Sequence, residues 1–76
     1  MKETLLEILE ELKPGVDYEN ETQLITRQIL TSMEVVRLIM MISDEFDISI
    51  SPLYIVPENF ESVDDMVKLI EKVQDE

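Results

Sequence analysis

Apolar residues recur at helical spacing in three stretches of the chain. In the first stretch they occupy positions i, i+3, i+4 and i+7, which lie on one face of a helix, and glutamates fill positions between them. Lys13 suits the C-terminal end of such a helix, and the following Pro14-Gly15 stops it. The pattern therefore predicts a first helix whose buried face consists of Leu5, Ile8, Leu9 and Leu12.

The second stretch begins with a capping box. Thr31 can accept a hydrogen bond from the amide three residues on, and the side chain of Glu34 can reach back to the amide of Thr31. A second helix is therefore predicted from Ser32 to about Phe46. Its expected buried face is formed by Val35, Ile39, Ile42 and Phe46.

This second helix carries more apolar residues than one face can hold. Met33, Val36 and Met40 form a second stripe, roughly 60–120° round from Ile39. Such a stripe serves either as more core or as an exposed contact surface. Met41 lies almost opposite the expected buried face, and periodicity does not explain it.

The rest of the chain predicts one more long helix, a short one and a long loop. Residues 14–31 have no sustained period, which predicts a long loop between the first two helices that is either functional or contains a short element, such as a turn of helix around residues 24–28. Residues 52–57, bounded by two prolines, predict a short irregular helix or turn that closes the core. Ser62 and Asp65 are a further capping signal. The third long helix has apolar positions at Val63, Met66, Val67, Ile70 and Val73.

Composition excludes several kinds of chemistry. The 76 residues, which we expect to form one domain over positions 1–76, include no cysteine, no histidine and a single glycine, Gly15. Thiolate nucleophiles, zinc sites built from Cys and His, histidine-based triads and glycine-rich phosphate loops are therefore impossible. A helical bundle of this size also has little room for a substrate pocket. We expect no catalysis by this chain alone.

The charge balance restricts the partners. Eighteen acidic and six basic residues give a net charge of −12. Nucleic acids and anionic lipids need a basic footprint, so we expect neither as a partner. The acidic surface is either a solubilising coat or a surface that attracts basic patches on other proteins.

The sequence predicts neither a metal site nor membrane insertion. Asp17, Glu19 and Glu21 match the first three ligand positions of a calcium-binding EF-hand loop, but Thr22 and Gln28 replace the glycine and the bidentate glutamate that it requires. Glutamates interrupt the N-terminal apolar positions, which argues against a signal peptide, and no apolar run approaches the length of a membrane span. We expect a cytoplasmic protein.

Ser32 is the candidate site for covalent chemistry. It lies in the first turn of the predicted second helix, where the backbone amides and the helix dipole favour an anion. A phosphate ester on its hydroxyl would be stabilised there. Alternatively, Thr31-Ser32 is only a helix cap and its neighbour.

The region around Ser32 resembles the acyl carrier protein family, which includes peptidyl and D-alanyl carriers. That family has a four-helix fold with an Asp-Ser-Leu motif at the start of helix two, followed about ten residues later by an acidic pair, Phe and a short strand-like segment. The resemblance covers nearly the whole chain in length, helix order, acidity and the long first loop. Residues 57–62 also resemble the start of the last helix in some stand-alone bacterial carriers, the D-alanyl branch among them. The matching segments are Ile29-Leu30-Thr31-Ser32-Met33-Glu34-Val35-Val36 and Asp44-Glu45-Phe46-Asp47-Ile48-Ser49-Ile50.

The resemblance implies a four-helix carrier bundle, three helices long and one short, in which Ser32 carries 4′-phosphopantetheine. A separate phosphopantetheinyl transferase would donate this group from coenzyme A. Its thiol would hold an acyl or aminoacyl group as a thioester for loading and transfer enzymes that have basic docking patches. The carrier would act as a monomer. Fatty acyl, polyketide, amino acid and D-alanine cargoes all remain open.

The resemblance also implies a docking surface on helix two. In the family, partner enzymes contact an exposed apolar stripe and the acidic residues beside it. Three positions depart from the usual pattern: Thr31 replaces Asp, Met33 replaces Leu, and Arg37 stands where many relatives have an acid. An unmodified acidic protein-binding module that docks through the same surface is the alternative. The residues expected to contact partners are Met33, Val36, Arg37, Met40, Asp44 and Glu45.

Overall fold

The fold consists of three α-helices joined by one long loop and one short irregular segment. The computed structural model describes all 76 residues and contains no β-strand. The all-helical class and the three long helices predicted from the sequence are confirmed. None of these helices is long and apolar enough to cross a membrane. They are α1 (Lys2–Leu12), α2 (Ser32–Phe46) and α3 (Val63–Gln74).

Two 3₁₀ turns form the segment for which the sequence predicted a short irregular helix or turn. They span Pro52–Tyr54 and Pro57–Asn59. Each proline holds its preceding residue in an extended conformation, with ψ 142° at Ser51 and ψ 150° at Val56. No continuous helix runs through this segment, and the structure does not confirm a fourth helix.

The predicted N-terminal caps are present on α2 and α3. Thr31 Oγ1 accepts a hydrogen bond from the Glu34 amide, and the Glu34 side chain accepts one from the Thr31 amide. Ser62 Oγ accepts from the Asp65 amide at 3.1 Å. At the other end of α2, Asp47 adopts the left-handed conformation that commonly terminates a helix.

The hydrophobic core draws on the helices and also on the irregular segments. The long loop contributes three buried side chains, and the segment before α3 contributes Phe60, the largest of the fully buried ones. Because a chain this short buries only a modest fraction of its surface, the loop has to supply part of the core. The buried apolar residues are Leu5, Ile8, Leu9, Tyr18, Leu24, Leu30, Leu38, Ile42, Phe60, Val63, Met66, Leu69 and Ile70.

The buried face of α2 is rotated by roughly 50° from the predicted one, at 100° per residue. Leu38 and Ile42 are fully buried, whereas Val35, Ile39 and Phe46 are only half-buried. Apolar residues occupy so much of this helix's circumference that periodicity alone could not select the buried arc.

The rotation of α2 also accounts for Met41, which the sequence placed almost opposite the core. Met41 is half-buried and packs against the core. It lines a small cleft together with Ile8 of α1. The flank of α2 that the periodicity left unexplained is therefore the flank that meets α1.

The long loop is anchored to α1 at its beginning. Gly15 has a φ of +90°, which glycine adopts without strain where the chain leaves the helix. The Tyr18 hydroxyl donates to the carbonyl of Lys13 at 2.6 Å, and burial raises the pKa of Tyr18 to about 12. Further along the loop, residues 24–28 form a hydrogen-bonded turn, which we call the 24–28 turn. The Arg27 amide donates to the carbonyl of Gln23, the residue just before this turn.

The first 3₁₀ turn is tied to the end of α3. The Tyr54 hydroxyl donates to the Glu76 carboxylate, and this hydrogen bond raises the pKa of Tyr54. The ammonium group of Lys72 lies 5.0 Å from the centre of the Tyr54 ring, within range of a cation–π interaction. These contacts hold residues 52–54 against α3.

Phe60→Ala should destabilise the protein by about 3–5 kcal/mol, because it removes the largest fully buried side chain. Phe46→Ala should cost clearly less, because Phe46 is already half-exposed. Urea unfolding followed by circular dichroism measures both values. An equal or larger loss of stability in Phe46→Ala would show that Phe60 is not at the centre of the core.

Candidate functional site

Ser32 is exposed at the first position of α2. Its neighbours complete the helix cap without it: the Thr31 amide donates to Glu34 Oε1 at 2.8 Å, and the Glu34 amide donates to Thr31 Oγ1 at 3.3 Å. The Ser32 hydroxyl makes no hydrogen bond to the protein. It is therefore free to be modified without loss of the cap.

The electrostatic surroundings of Ser32 combine a helix N-terminus with one ion pair. The hydrogen bond from the Thr31 amide, together with nearby Lys13, lowers the pKa of Glu34, so this carboxylate is ionised at neutral pH. Lys13 Nζ lies 3.8 Å from Glu34 Oε1 and donates to the carbonyl of Ile29 at 2.5 Å. Lys13 thus joins the end of α1 to the start of α2 and offsets the negative charge of Glu34. Sequence reasoning missed this role, since nothing in the spacing of Lys13 indicates it.

Ser32 lies on the rim of an apolar groove of about 640 Å³. Three separate parts of the chain form the groove: the end of the long loop, the first turns of α2 and residues 55–60, which include the second 3₁₀ turn. Periodicity could not reveal it, because its apolar residues belong mostly to irregular segments. The groove is lined by Ile25, Gln28, Leu30, Thr31, Ser32, Val35, Val36, Ile55, Val56, Pro57 and Phe60.

An apolar surface extends from Ser32 along α2. Met33, Val36 and Met40 are 79%, 57% and 66% exposed. Arg37 and Asp44 are exposed on the same side of the helix, at 100° per residue. The structure therefore brings five of the six expected contact residues together on the face opposite the core.

Glu45, the sixth expected contact residue, lies elsewhere. It is exposed, but on the flank of α2 that meets α1, where it lines the small cleft with Glu11 and Met41. Each residue step along a helix rotates a side chain by about 100°, and the step from Asp44 to Glu45 leads further away from the apolar surface of α2. Asp44 lies at the border between the cleft and the apolar surface.

Two apolar residues of the irregular segment are exposed, contrary to the expectation that this segment closes the core. Leu53 is 85% exposed and Ile55 42% exposed. Phe60 fills the core instead. Ile55 lines the groove opposite α2, so the exposed apolar surface continues across the groove from Val36.

The candidates for calcium ligation do not form a site. Asp17 accepts a hydrogen bond from Asn20 at 2.9 Å, and Glu21 forms an ion pair with Arg27 at 2.9 Å. No group of three or more acidic side chains is close enough to hold a metal ion.

Comparison with protein-family models, curated proteins and solved structures found no match to this chain. Its functional interpretation therefore depends on the geometry around Ser32.

Thr31→Ala should cost about 1 kcal/mol of stability, because it removes the side-chain half of the cap. Thr31→Asp should leave stability nearly unchanged, because aspartate caps a helix as well as threonine. Thermal unfolding of both variants tests this. Equal losses for the two would show that the Thr31 side chain stabilises the protein by packing rather than by capping.

Proposed function

We propose that this protein is a discrete carrier of the acyl carrier protein type, with 4′-phosphopantetheine attached to Ser32. The observation that carries the proposal is the placement of Ser32: its hydroxyl is exposed and unbonded, at a helix N-terminus, on the rim of an apolar groove.

The residues around Ser32 fit this group. A phosphodiester on the hydroxyl is favoured by the unpaired amides and the dipole of α2. When bound, the group supplies a thiol for thioester chemistry, which a chain without cysteine lacks. Thr31 and Glu34 keep the first turn of α2 rigid, so the attachment point stays at a defined position on the surface.

The groove gives an apolar cargo a site away from water. Val35, Ile55 and Phe60 line it within reach of the Ser32 end of α2. Removal of apolar surface from water is favourable by about 25 cal/mol per Å². Sheltering of this kind favours an acyl cargo over a charged aminoacyl one.

The exposed surface of α2 supports delivery to partner enzymes rather than catalysis by this chain. Flexible methionines such as Met33 and Met40 adapt to several partners. The charge of −12 attracts basic docking patches and makes encounters fast and dependent on salt. Arg37 requires at least one acidic group on the partner. We place the carrier in the cytoplasm, as a monomer, with a phosphopantetheinyl transferase and acyl-loading and acyl-transfer enzymes as its partners.

The second candidate is an unmodified binding module. Thr31 and Arg37 depart from the carrier pattern at and near the modification site. The apolar surface of α2 is exposed whether or not Ser32 is modified. Such a module would dock through Met33, Val36 and Met40 alone.

Incubation with coenzyme A and a broad-specificity phosphopantetheinyl transferase should add one phosphopantetheine group to the intact protein. Mass spectrometry measures the gain, and Ser32→Ala should abolish it. Ser49→Ala is the matched control, because Ser49 is exposed but lies outside the groove and outside the helices. Absence of any gain with several transferases would favour the binding module.

Met40→Glu should lower kcat/KM of the transferase reaction about tenfold, because it places a charge in the contact between α2 and the transferase, from which water is excluded. The melting temperature should change little, because Met40 is 66% exposed. Lys68→Gln on α3 is the control for net charge, since it shifts the net charge by −1, as Met40→Glu does, at an exposed position of another helix. Equal losses for both variants would show that net charge, and not the surface of α2, governs recognition.

A further inference from the structure

The carboxylate of Glu61, which lies just before α3, binds the 24–28 turn. Glu61 Oε1 accepts hydrogen bonds from the amides of Ile25 at 2.8 Å and Thr26 at 2.9 Å. Its second oxygen accepts from the hydroxyl of Thr26. The carbonyl of Glu61 accepts from the amide of Leu24 at 2.9 Å. All hydrogen bonds between the 24–28 turn and the rest of the fold outside the loop therefore end on this one residue.

The 24–28 turn forms one wall of the groove beside Ser32, through Ile25 and Gln28. Buried Leu24 and Leu30 anchor the chain on either side of the wall. Between these anchors Ile25 is half-buried and the next three residues are exposed. The buried leucines therefore fix both ends of this wall. Its middle makes few packing contacts and is held by the hydrogen bonds to Glu61.

A left-handed residue ends the turn. Gln28 has a φ of 57°, a conformation that non-glycine residues adopt at some cost. The Gln28 amide donates to the carbonyl of Ile25, inside the turn. The turn can thus keep its internal hydrogen bonds while it moves relative to Glu61.

We propose that the 24–28 turn is a gate to the groove and that the Glu61 carboxylate is the latch that holds the gate closed. Release of the latch would free Ile25 and Thr26 while Leu24 and Leu30 stay buried. The groove would then widen without unfolding of the three helices. This inference concerns the unmodified chain and does not depend on phosphopantetheine.

The latch depends on the charge of Glu61. Its hydrogen bonds with Thr26 and Ile25 lower the pKa of this carboxyl group. The ionised form therefore stabilises the closed gate above the ordinary value of 4.5, and this stabilisation is lost as pH falls through the lowered pKa. The other charged side chains on the surrounding elements are Asp17, Glu19, Glu21 and Arg27 in the loop, Glu58 in the second 3₁₀ turn, and Asp64, Asp65, Lys68, Glu71 and Lys72 in α3.

Amide hydrogen exchange followed by NMR tests the latch on the whole unmodified chain. In Glu61→Ala, exchange at Ile25 and Thr26 should accelerate about tenfold or more, because these amides lose their acceptor. Exchange at Leu38 and Ile42 in α2 should stay close to that of the original protein. Glu61→Gln should restore only part of the protection at neutral pH, since its uncharged amide oxygen is a weaker acceptor and its NH2 group cannot accept from the Thr26 hydroxyl.

Two comparisons separate the latch from general destabilisation. Glu58→Ala removes an exposed carboxylate three residues away and should leave the exchange of Ile25 and Thr26 unchanged. Acidification below the lowered pKa should open the gate in the original protein, after correction for intrinsic exchange rates. The same acidification should have little effect on the gate of Glu61→Gln, which has no carboxyl group at this position.

Unchanged exchange at Ile25 and Thr26 in Glu61→Ala would overturn the proposal. Equal acceleration at all amides, including those of Leu38 and Ile42, would also overturn it, because Glu61 would then stabilise the whole fold and not a local gate. Repeating the measurement in Ser32→Ala should give the same result. The gate and the modification of Ser32 are therefore tested independently. Absence of modification does not exclude the gate, and absence of the gate does not exclude modification.

Discussion

The structure depends on burial of the long loop in the core of a very small protein. Three helices of this size do not enclose enough apolar surface, and Tyr18, Leu24 and Leu30 complete the core. Their burial fixes the path of the chain from α1 to α2. It thereby positions Ser32, forms one wall of the groove and brings the 24–28 turn up to Glu61.

Stabilising and functional roles fall on adjacent residues at the start of α2. Thr31 and Glu34 each accept a hydrogen bond from the other's amide, and Lys13 connects this turn to α1. Ser32 contributes to none of these interactions and is exposed. A covalent group on Ser32 would therefore not compete with the interactions that hold the helix, as the proposed carrier function requires.

The fold could be predicted from sequence where a local rule determined it. The capping pairs Thr31–Glu34 and Ser62–Asp65 marked the beginnings of α2 and α3, because capping involves residues only three apart. The buried face of α2 was misplaced, and Leu38 was missed, because apolar residues occupy most of this helix's circumference. The burial of Phe60 and the exposure of Leu53 were missed because irregular segments have no period to interpret.

The sequence by itself determined the three helices, their caps, the acidic surface and the absence of thiol and imidazole chemistry, since each follows from neighbouring residues or from composition. Only the tertiary structure decided that Ser32 borders an apolar groove, that Glu45 lies apart from the other contact residues on α2, and that Glu61 binds Ile25 and Thr26 across 36 and 35 positions of the chain. Contacts between residues so far apart depend on how all the elements pack together, and no local pattern encodes that arrangement.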